Sequence, residues 1–277
     1  MNFDSPAEIR ALLEERGLAL KKRWGQNFLV NRGARQRLVE ILEPLPHETV
    51  WEIGPGLGAM TELLAGAAAR VFAFEVDRGL CRFLEESLQG LSSFTLVPGD
   101  FLDTWKGTLQ LRGTPDRILG NLPYSSASLM IADIIEAGVR PTRMVFTVQR
   151  ELADRMASPP GQKSYSSFSV LCQSCFNVAD RGDLQPGSFY PVPEVVSSIV
   201  EMTAAADAPS GDVLISLSAL ARSLFSSRRK TIRNNVKDGA VRVALEKEGI
   251  DPGLRAEQLP PAVFVRLARR LTGASSP

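Results

Sequence analysis

The tetrapeptide Asn121-Leu122-Pro123-Tyr124 combines an amide, a proline and an aromatic ring directly after DRILG, which is typical of a short strand. Pro123 has no N–H group and favours extended backbone at Leu122, which predicts a rigid turn at a strand end. An amino group on a nucleobase is a weak nucleophile, because its lone pair is delocalised into the ring. The Asn121 side-chain oxygen and the Leu122 carbonyl could draw that nitrogen towards tetrahedral geometry, while the Tyr124 ring stacks on the base. We predict that this tetrapeptide is catalytic and directs an amine at an electrophilic methyl group; the alternative is a plain turn.

Histidine and cysteine offer little other chemistry in this chain. His47 is the single histidine, which excludes an HExxH zinc site and disfavours a Ser-His-Asp triad. An amine held by two acceptors needs no general base before attack, in agreement with that scarcity. Cys172 and Cys175 form a lone C-x-x-C without a second pair of ligands, so we expect core packing there and predict no metal site.

A glycine-rich loop follows the first apolar strand, in the sequence EIGPGLGAMT. Gly54, Gly56 and Gly58 would let the backbone approach a ligand closely and direct helix N–H groups towards it. Glu75 ends the next strand, where it could accept hydrogen bonds from ribose hydroxyls. Asp100 ends the third and could accept from an adenine amine, with a helix cap as the alternative. These strand ends predict a nucleoside-type cofactor and leave NAD and S-adenosylmethionine open. The Asn-Leu-Pro-Tyr turn favours S-adenosylmethionine, because hydride transfer has no use for it.

The elements that position these residues alternate between strand and helix, which predicts an α/β fold with a Rossmann-like, mostly parallel, doubly wound sheet. One helix is expected to begin after the Ser5 cap and another after Asn31. Further helices are expected from about Gly58 and over 80–88 and 128–137. The predicted strands are 49–53, 70–76, 94–97, 116–121 and 143–149, followed by an antiparallel edge near 177–184 and 195–202.

The small, polar stretch TAAADAPSGD, residues 203–212, marks a domain boundary. We predict a cofactor-binding domain over 1–205, with a helical extension over about 1–45. The remainder, 206–277, is helix-patterned throughout and is predicted to be a small, all-helical, RNA-binding domain.

Basic residues are unevenly distributed, although the net charge is only +1. The blocks 21–39 and 221–237 each carry six Lys or Arg residues and no acid. One such block is usually a solvated face, but two in a near-neutral protein predict a polyanionic partner held through its phosphates.

The composition, 44% hydrophobic and 23% charged over 277 residues, is typical of a globular protein of two domains. No apolar run approaches the roughly 18 residues of a membrane span. The N-terminal residues are too acidic for a secretory signal or a transit peptide. We therefore expect a cytoplasmic protein with no membrane partner.

Seven collinear blocks resemble the KsgA/RsmA family of ribosomal RNA adenine dimethyltransferases, over about residues 21 to 270. The resemblance implies a class I methyltransferase fold with a small helical C-terminal domain and S-adenosyl-L-methionine as cofactor. It also implies that two adjacent adenosines near the 3′ end of 16S rRNA, in the small ribosomal subunit, each receive two methyl groups on N6. We expect the protein to act as a monomer. The blocks are KKRWGQNFL, EIGPGLGAMT, AFEVD, GNLPY, VQRELADRM, SFYPVPEVVSS and RRKTIRNNV.

The same resemblance implies roles for individual residues. Phe189, in the FYPVP block, would be a second stacking face for the adenine, with core packing as the alternative. The other RNA-binding residues would be Lys22, Arg23, Arg228, Arg229 and Lys230. The cofactor-binding residues would be Asn27, Leu29, Gly54, Gly56, Glu75, Asp100 and Asn121.

Several positions depart from the family's pattern. Trp24 stands where phenylalanine is usual, KSYSSFSV lacks the expected Tyr-Gly-Arg-Leu-Ser, and Glu194 and Val196 replace a common lysine and aspartate. These departures concern RNA contacts more than methyl transfer. Three alternatives remain at this point: a non-catalytic RNA-binding assembly factor, an NAD-dependent oxidoreductase, and a methylase of large-subunit RNA. The block RRKT and the long helical tail favour the small-subunit enzyme by resemblance.

Overall fold

The predicted alternation of strands and helices is present in the computed structural model, which describes residues 2–20 and 24–274. The strands are β1 (Phe28–Leu29), β2 (Thr49–Ile53), β3 (Arg70–Glu75), β4 (Phe94–Pro98), β5 (Arg117–Asn121), β6 (Arg143–Gln149), β7 (Phe176–Leu184), β8 (Phe189–Tyr190) and β9 (Ser197–Ala204). The α-helices are α1 (Pro6–Glu15), α2 (Arg32–Leu42), α3 (Ala59–Ala65), α4 (Arg78–Ser87), α5 (Phe101–Arg112), α6 (Ala127–Glu136), α7 (Arg150–Ala157), α8 (Ser167–Cys175), α9 (Gly211–Leu224), α10 (Ile232–Asn235), α11 (Gly239–Lys247) and α12 (Pro261–Thr272).

The larger sheet formed by the described residues has seven strands, in the order β4-β3-β2-β5-β6-β9-β7. Neighbouring strands from β4 to β6 pair in parallel, whereas β9 runs antiparallel to β6. Every residue of β2 is buried, as expected for a parallel strand covered on both faces. The predicted α/β fold with a mostly parallel sheet and an antiparallel edge is confirmed. Its topology brings the glycine loop, Glu75 and Asn121 to one edge, at the carboxyl ends of β2, β3 and β5.

Side-chain caps start several helices where the sequence predicted them. The Ser5 hydroxyl accepts from the Glu8 N–H, and the Asn31 side-chain oxygen accepts from the Ala34 N–H. Helix α5 was not predicted, since it contains Gly107, a poor helix former, and its apolar residues do not lie along one face. The two-residue strands β1 and β8 also escaped prediction, because they are too short to show a period.

A hydrophobic core fills one face of the sheet in the region of α2 and α3. Leu38, Leu64, Leu119 and Val145 are among its completely buried members. On β2, Trp51 is also completely buried, and its ring packs edge-on against Phe74. Helices that cover the parallel strands hold the strand ends rigidly, and those ends carry the predicted site.

The chain packs as two compact units. The last segment of unit 2 begins at Ala204, close to the predicted boundary after residue 205, but unit 2 also takes in two earlier segments. The division into 1–205 and 206–277 therefore stays a prediction. Unit 1 comprises Met1–Met130, Arg140–Ala153 and Ala179–Thr203, and unit 2 comprises Ile131–Val139, Asp154–Val178 and Ala204–Pro277.

Unit 2 is built around packed helices, with α9 and α12 in extensive contact. The described residues from 206 onwards form helices and connecting turns, which confirms the all-helical C-terminal region. The buried Tyr165 hydroxyl donates to the Leu259 carbonyl at 2.9 Å. Cys172 and Cys175 are completely buried, as the core-packing prediction requires. No helix within the described residues is long and apolar enough to cross a membrane.

Candidate active site

A cleft of about 270 Å³ opens at the carboxyl ends of the parallel strands in unit 1. Open α/β sheets bind their ligands in a crevice at this position. Each cofactor residue predicted from the sequence lies on its lining, so the fold brings together seven positions that span almost a hundred residues of chain. They are Asn27, Leu29, Gly54, Gly56, Glu75, Asp100 and Asn121.

The glycine loop forms one wall of the cleft. Gly54, Gly56 and Gly58 have φ angles of 74°, 59° and 88°, a region that side-chain-bearing residues rarely adopt. A Cβ atom on Gly56 would lie 3.0 Å from two carbons of the Phe28 ring. The loop therefore approaches strand β1 closely and leaves its backbone as the surface that meets a ligand.

Glu75 closes the base of this wall. One carboxylate oxygen accepts from the Gly56 N–H at 3.2 Å and the other from the Asp77 N–H at 2.9 Å. The side chain is 4% exposed, and this burial, with the nearby Asp77 charge, raises the pKa of Glu75 to about 7. An acceptor whose charge is easily lost near neutral pH thus lies at the end of β3.

Glu52 is a second buried carboxyl beside this wall, on strand β2, and sequence reasoning missed it. It is completely buried, and within the described residues neither carboxyl oxygen has a hydrogen bond. Burial, together with the charge of Glu75, raises the pKa of Glu52 to about 7. The available signal was a charged residue inside the otherwise apolar strand TVWEI.

The Asn121 side chain is oriented by a neighbouring segment. Its Nδ2 donates to the Asn27 carbonyl at 2.7 Å, so the Oδ1 atom is the free acceptor of this amide within the described residues. The Leu122 N–H donates to the Thr147 carbonyl at 3.1 Å. These bonds fix the two acceptors on which the predicted chemistry depends.

Tyr124 follows on the same turn and is partly exposed. Its hydroxyl lies 2.5 Å from the Ser197 hydroxyl oxygen. Burial raises the pKa of Tyr124, so the phenol stays protonated. Pro123 lines the cleft, and its carbonyl accepts from the Ser126 and Ala127 N–H groups that begin α6.

The segment 25–29 joins the cleft to this turn. Gly25 has a φ of 57°, and a Cβ atom there would lie 3.5 Å from Pro123 Cβ. The Asn27 Nδ2 donates to the Gly25 carbonyl at 3.1 Å, which tightens the segment. Strand β1 then pairs antiparallel with β8, so the segment contacts the cofactor cleft, the predicted catalytic turn and the FYPVP block.

The structure places Phe189 in the core, so its stacking role stays a prediction beside the core-packing alternative. Its side chain is 1% exposed and belongs to the core with Leu29 and Leu184. The cause is the pairing of β8 with β1, which turns this residue inwards. Asp100 caps helix α5, since its Oδ1 accepts from the Leu102 N–H. It also lines the cleft, and its contact with an adenine amine stays a prediction.

The second basic block lies in unit 2, where it runs from the last turn of α9 through α10, and its residues 228–230 lie between the two helices. Arg228, Arg229 and Lys230 are all exposed, and Arg228 forms an ion pair with Glu257 at 3.1 Å. The predicted RNA-binding residues Lys22 and Arg23 lie outside the residues that the structure describes. RNA binding by either block stays a prediction.

Solved structures share this fold. A dimethyladenosine transferase from Plasmodium falciparum matches with a TM-score of 0.73 at 21% identity, over 86% of this chain and 94% of the other. The 23S rRNA methyltransferase ErmE matches with a TM-score of 0.65 at 25% identity, over 88% of this chain and 99% of the other. The class I methyltransferase fold is thereby confirmed.

Relatives of similar length are more alike in sequence. Proteins named ribosomal RNA small subunit methyltransferase A are 40% identical in Treponema denticola, over 93% of this chain and 92% of the relative. The corresponding values are 39%, 98% and 97% in Treponema pallidum, and 37%, 98% and 95% in Borreliella burgdorferi.

A sequence profile of the family described as Ribosomal RNA adenine dimethylase matches residues 17–273. The match confirms the resemblance predicted from the seven blocks and excludes the oxidoreductase alternative. The chain belongs to the ribosomal RNA adenine dimethylase family.

Proposed function

We propose that this enzyme transfers methyl groups from S-adenosyl-L-methionine to N6 of two adjacent adenosines near the 3′ end of 16S rRNA, giving N6,N6-dimethyladenosines during small-subunit biogenesis. The observation that carries the proposal is the orientation of the Asn121 amide. Its nitrogen is occupied by the Asn27 carbonyl, so its oxygen is the atom left to accept from an amine. That polarity suits an amine substrate.

The cleft has the hydrogen-bonding groups that a nucleoside cofactor requires. When bound, S-adenosyl-L-methionine supplies an electrophilic methyl group on a positively charged sulfur. Glu75 offers two buried acceptor oxygens for ribose hydroxyls, and the glycine loop offers close backbone approach at Gly54 and Gly56. Asp100 would accept from the adenine amine, while Asn27 and Leu29 complete the opposite wall.

The turn supplies the acceptors for the target. The Asn121 oxygen and the Leu122 carbonyl would accept from the two N–H bonds of N6, which reduces delocalisation of the lone pair and directs it at the methyl group. Pro123 keeps the two acceptors in one rigid turn. The Tyr124 ring would stack on the extruded adenine. No side chain has to remove a proton before attack.

Small-subunit RNA is favoured over large-subunit RNA as the substrate. The relatives at 37–40% identity are named for the small subunit, whereas the large-subunit enzyme ErmE is 25% identical. We further propose that the exposed block Arg228-Arg229-Lys230 contacts RNA phosphates, together with Lys22 and Arg23. A cytoplasmic location and a monomeric state are also proposals.

Labelled S-adenosyl-L-methionine incubated with immature small subunits tests the function. We expect label in two adjacent adenosines near the 3′ end of 16S rRNA, identified as N6,N6-dimethyladenosine after nuclease digestion. Naked large-subunit RNA is the matched control and should stay unlabelled. Label in large-subunit RNA alone would overturn the substrate assignment, and no label in either RNA would favour a non-catalytic assembly factor.

A further inference from the structure

The ring of Tyr124 is held at its far end as well as through its backbone. Its hydroxyl lies 2.5 Å from the hydroxyl oxygen of Ser197, on strand β9. Ser197 is completely buried, whereas Tyr124 is partly exposed. Stacking on a base uses the ring alone, and attack by the amine needs no phenol. This hydrogen bond is therefore not explained by contact with the substrate.

Ser197 is a fixed point in unit 1. It lies opposite Gln149 in the antiparallel pairing of β6 with β9. Beside it, the Arg150 N–H donates to the Val196 carbonyl at 3.1 Å. A hydroxyl on a buried strand with paired neighbours has little freedom to move, so it can serve as an anchor for a more exposed side chain.

Among the described residues, three hydrogen bonds from the catalytic turn bear on the placement of its acceptors and its ring. The Asn121 amide bonds the Asn27 carbonyl, and the Leu122 N–H bonds the Thr147 carbonyl. These two bonds place the acceptors for N6. The bond from Tyr124 to Ser197 is the third, and it acts on the stacking ring.

An aromatic ring attached only at Cβ can change its orientation by rotation about two side-chain torsions. A hydrogen bond at the hydroxyl restricts both torsions, because it fixes the opposite end of the ring. A preorganised ring holds an extruded base within the narrow geometry that methyl transfer requires.

We propose that Ser197 is a positioning residue for methyl transfer, whose hydroxyl holds the Tyr124 ring in the orientation that stacks on the target base. This inference rests on the proposed function. A merely structural role, in which Tyr124 only satisfies a buried hydroxyl, would change stability and leave the methylation rate unchanged.

Single-turnover methylation of saturating immature subunits tests the role of Ser197. Ser197→Ala should lower the rate about three- to tenfold, the effect expected for one hydrogen bond. Tyr124→Phe should lower it by the same factor, because either change removes the same bond. The double variant should be no slower than either single variant. Affinities for S-adenosylhomocysteine and for the subunit should stay within about twofold of the parental values.

Ser198→Ala is the matched control. Ser198 is equally buried, but its hydroxyl donates to Asp183 at 2.7 Å. That variant should methylate at the parental rate. Parental rates in Ser197→Ala and Tyr124→Phe, or a double variant slowed by the product of the single effects, would overturn the proposal. If Ser197→Ala does not fold, a parental rate in Tyr124→Phe alone overturns it. Absence of methylation by the parental protein would instead refute the proposed function.

Discussion

At the scale of single residues, the two polar atoms of the Asn121 amide have different roles. Its nitrogen donates to the Asn27 carbonyl, and its oxygen is left for the substrate amine. The contribution of that oxygen grows as the amine becomes tetrahedral, so it belongs to the transition state more than to binding. We expect Asn121→Ala to lower single-turnover methylation about a hundredfold to a thousandfold, by analogy with loss of an oxyanion-hole donor.

Binding of the immature subunit by the Asn121→Ala variant should stay close to parental, as a filter-binding titration would show. Asn177→Ala, a change of an exposed asparagine on strand β7, is the control and should leave both quantities unchanged. A parental methylation rate in Asn121→Ala would mean that the tetrapeptide is only a turn.

Glu75 gives cofactor binding a pH dependence. Burial raises the pKa of Glu75 to about 7, and ribose hydroxyls donate better to the ionised than to the protonated carboxyl. Affinity for S-adenosylhomocysteine should therefore rise by up to about tenfold per pH unit below 7 and level off above it. Glu75→Gln should bind weakly at every pH. Calorimetry between pH 5.5 and 8.5 makes the measurement, with exposed Glu62→Gln as control, and a pH-independent parental affinity would refute the assignment.

Residue types and spacing were enough to predict which side chains reach the cleft. Gly54, Glu75, Asp100 and Asn121 each lie at or just after the end of a parallel strand, and such ends meet at one edge of the sheet. Burial was not predictable in the same way. Phe189 turns inwards because a two-residue strand pairs across more than 150 positions, and no local pattern announces that contact.

At the scale of elements, the glycine loop and strand β1 pack so closely that one methyl group disturbs both. In Gly56→Ala the new Cβ atom would lie 3.0 Å from the Phe28 ring, and φ is 59°. A left-handed alanine costs roughly 1–2 kcal/mol. We expect about tenfold or more weaker binding of S-adenosylhomocysteine by calorimetry. Gly66→Ala, at a φ of −80° with 3.6 Å contacts, should bind normally; equal affinities in the two variants would exclude a cradle formed by this loop.

The strands and most helices were predictable from hydrophobic periodicity and from the Gly, Pro and capping residues at their ends. The strands were clear because buried parallel strands give uninterrupted apolar runs. Strands 49–53 and 143–149 have the predicted bounds. Helix α5 was missed because its apolar residues do not follow one stripe, and the compact units differ from the linear domains because segments 131–139 and 154–178 pack within unit 2. Contacts of that kind are set by tertiary packing and have no local signature.

At the scale of the whole molecule, the exposed basic residues 228–230 are the proposed contact with RNA phosphates. Neutralising Arg228, Arg229 and Lys230 together should lower the affinity for immature subunits. The slope of the logarithm of the binding constant against the logarithm of the salt concentration should become shallower by about 0.7 to 0.9 for each lost phosphate contact. Exposed Arg70, Arg82 and Arg112 form a control triple of equal charge change. Filter binding from low to moderate salt gives the slopes. Identical slopes in the two triple variants would show that residues 228–230 form an ordinary solvated surface.

The stability of the whole molecule should depend on pH through Glu52. Complete burial raises the pKa of Glu52 to about 7 in the folded protein. After unfolding, the pKa returns to its ordinary value of 4.5. The folded state therefore binds the proton more tightly, and this contribution to stability is full below pH 4.5 and is lost as pH rises to 7. The loss is up to about 3 kcal/mol.

Urea unfolding at pH 5 and pH 8 tests this dependence. The free energy of unfolding of the parental protein should be lower at pH 8 than at pH 5. Glu52→Gln should reduce that difference by about half, since Glu75 still titrates. Exposed Glu62→Gln should keep the parental fall; an undiminished fall in Glu52→Gln would mean that this carboxyl stays ionised inside the fold.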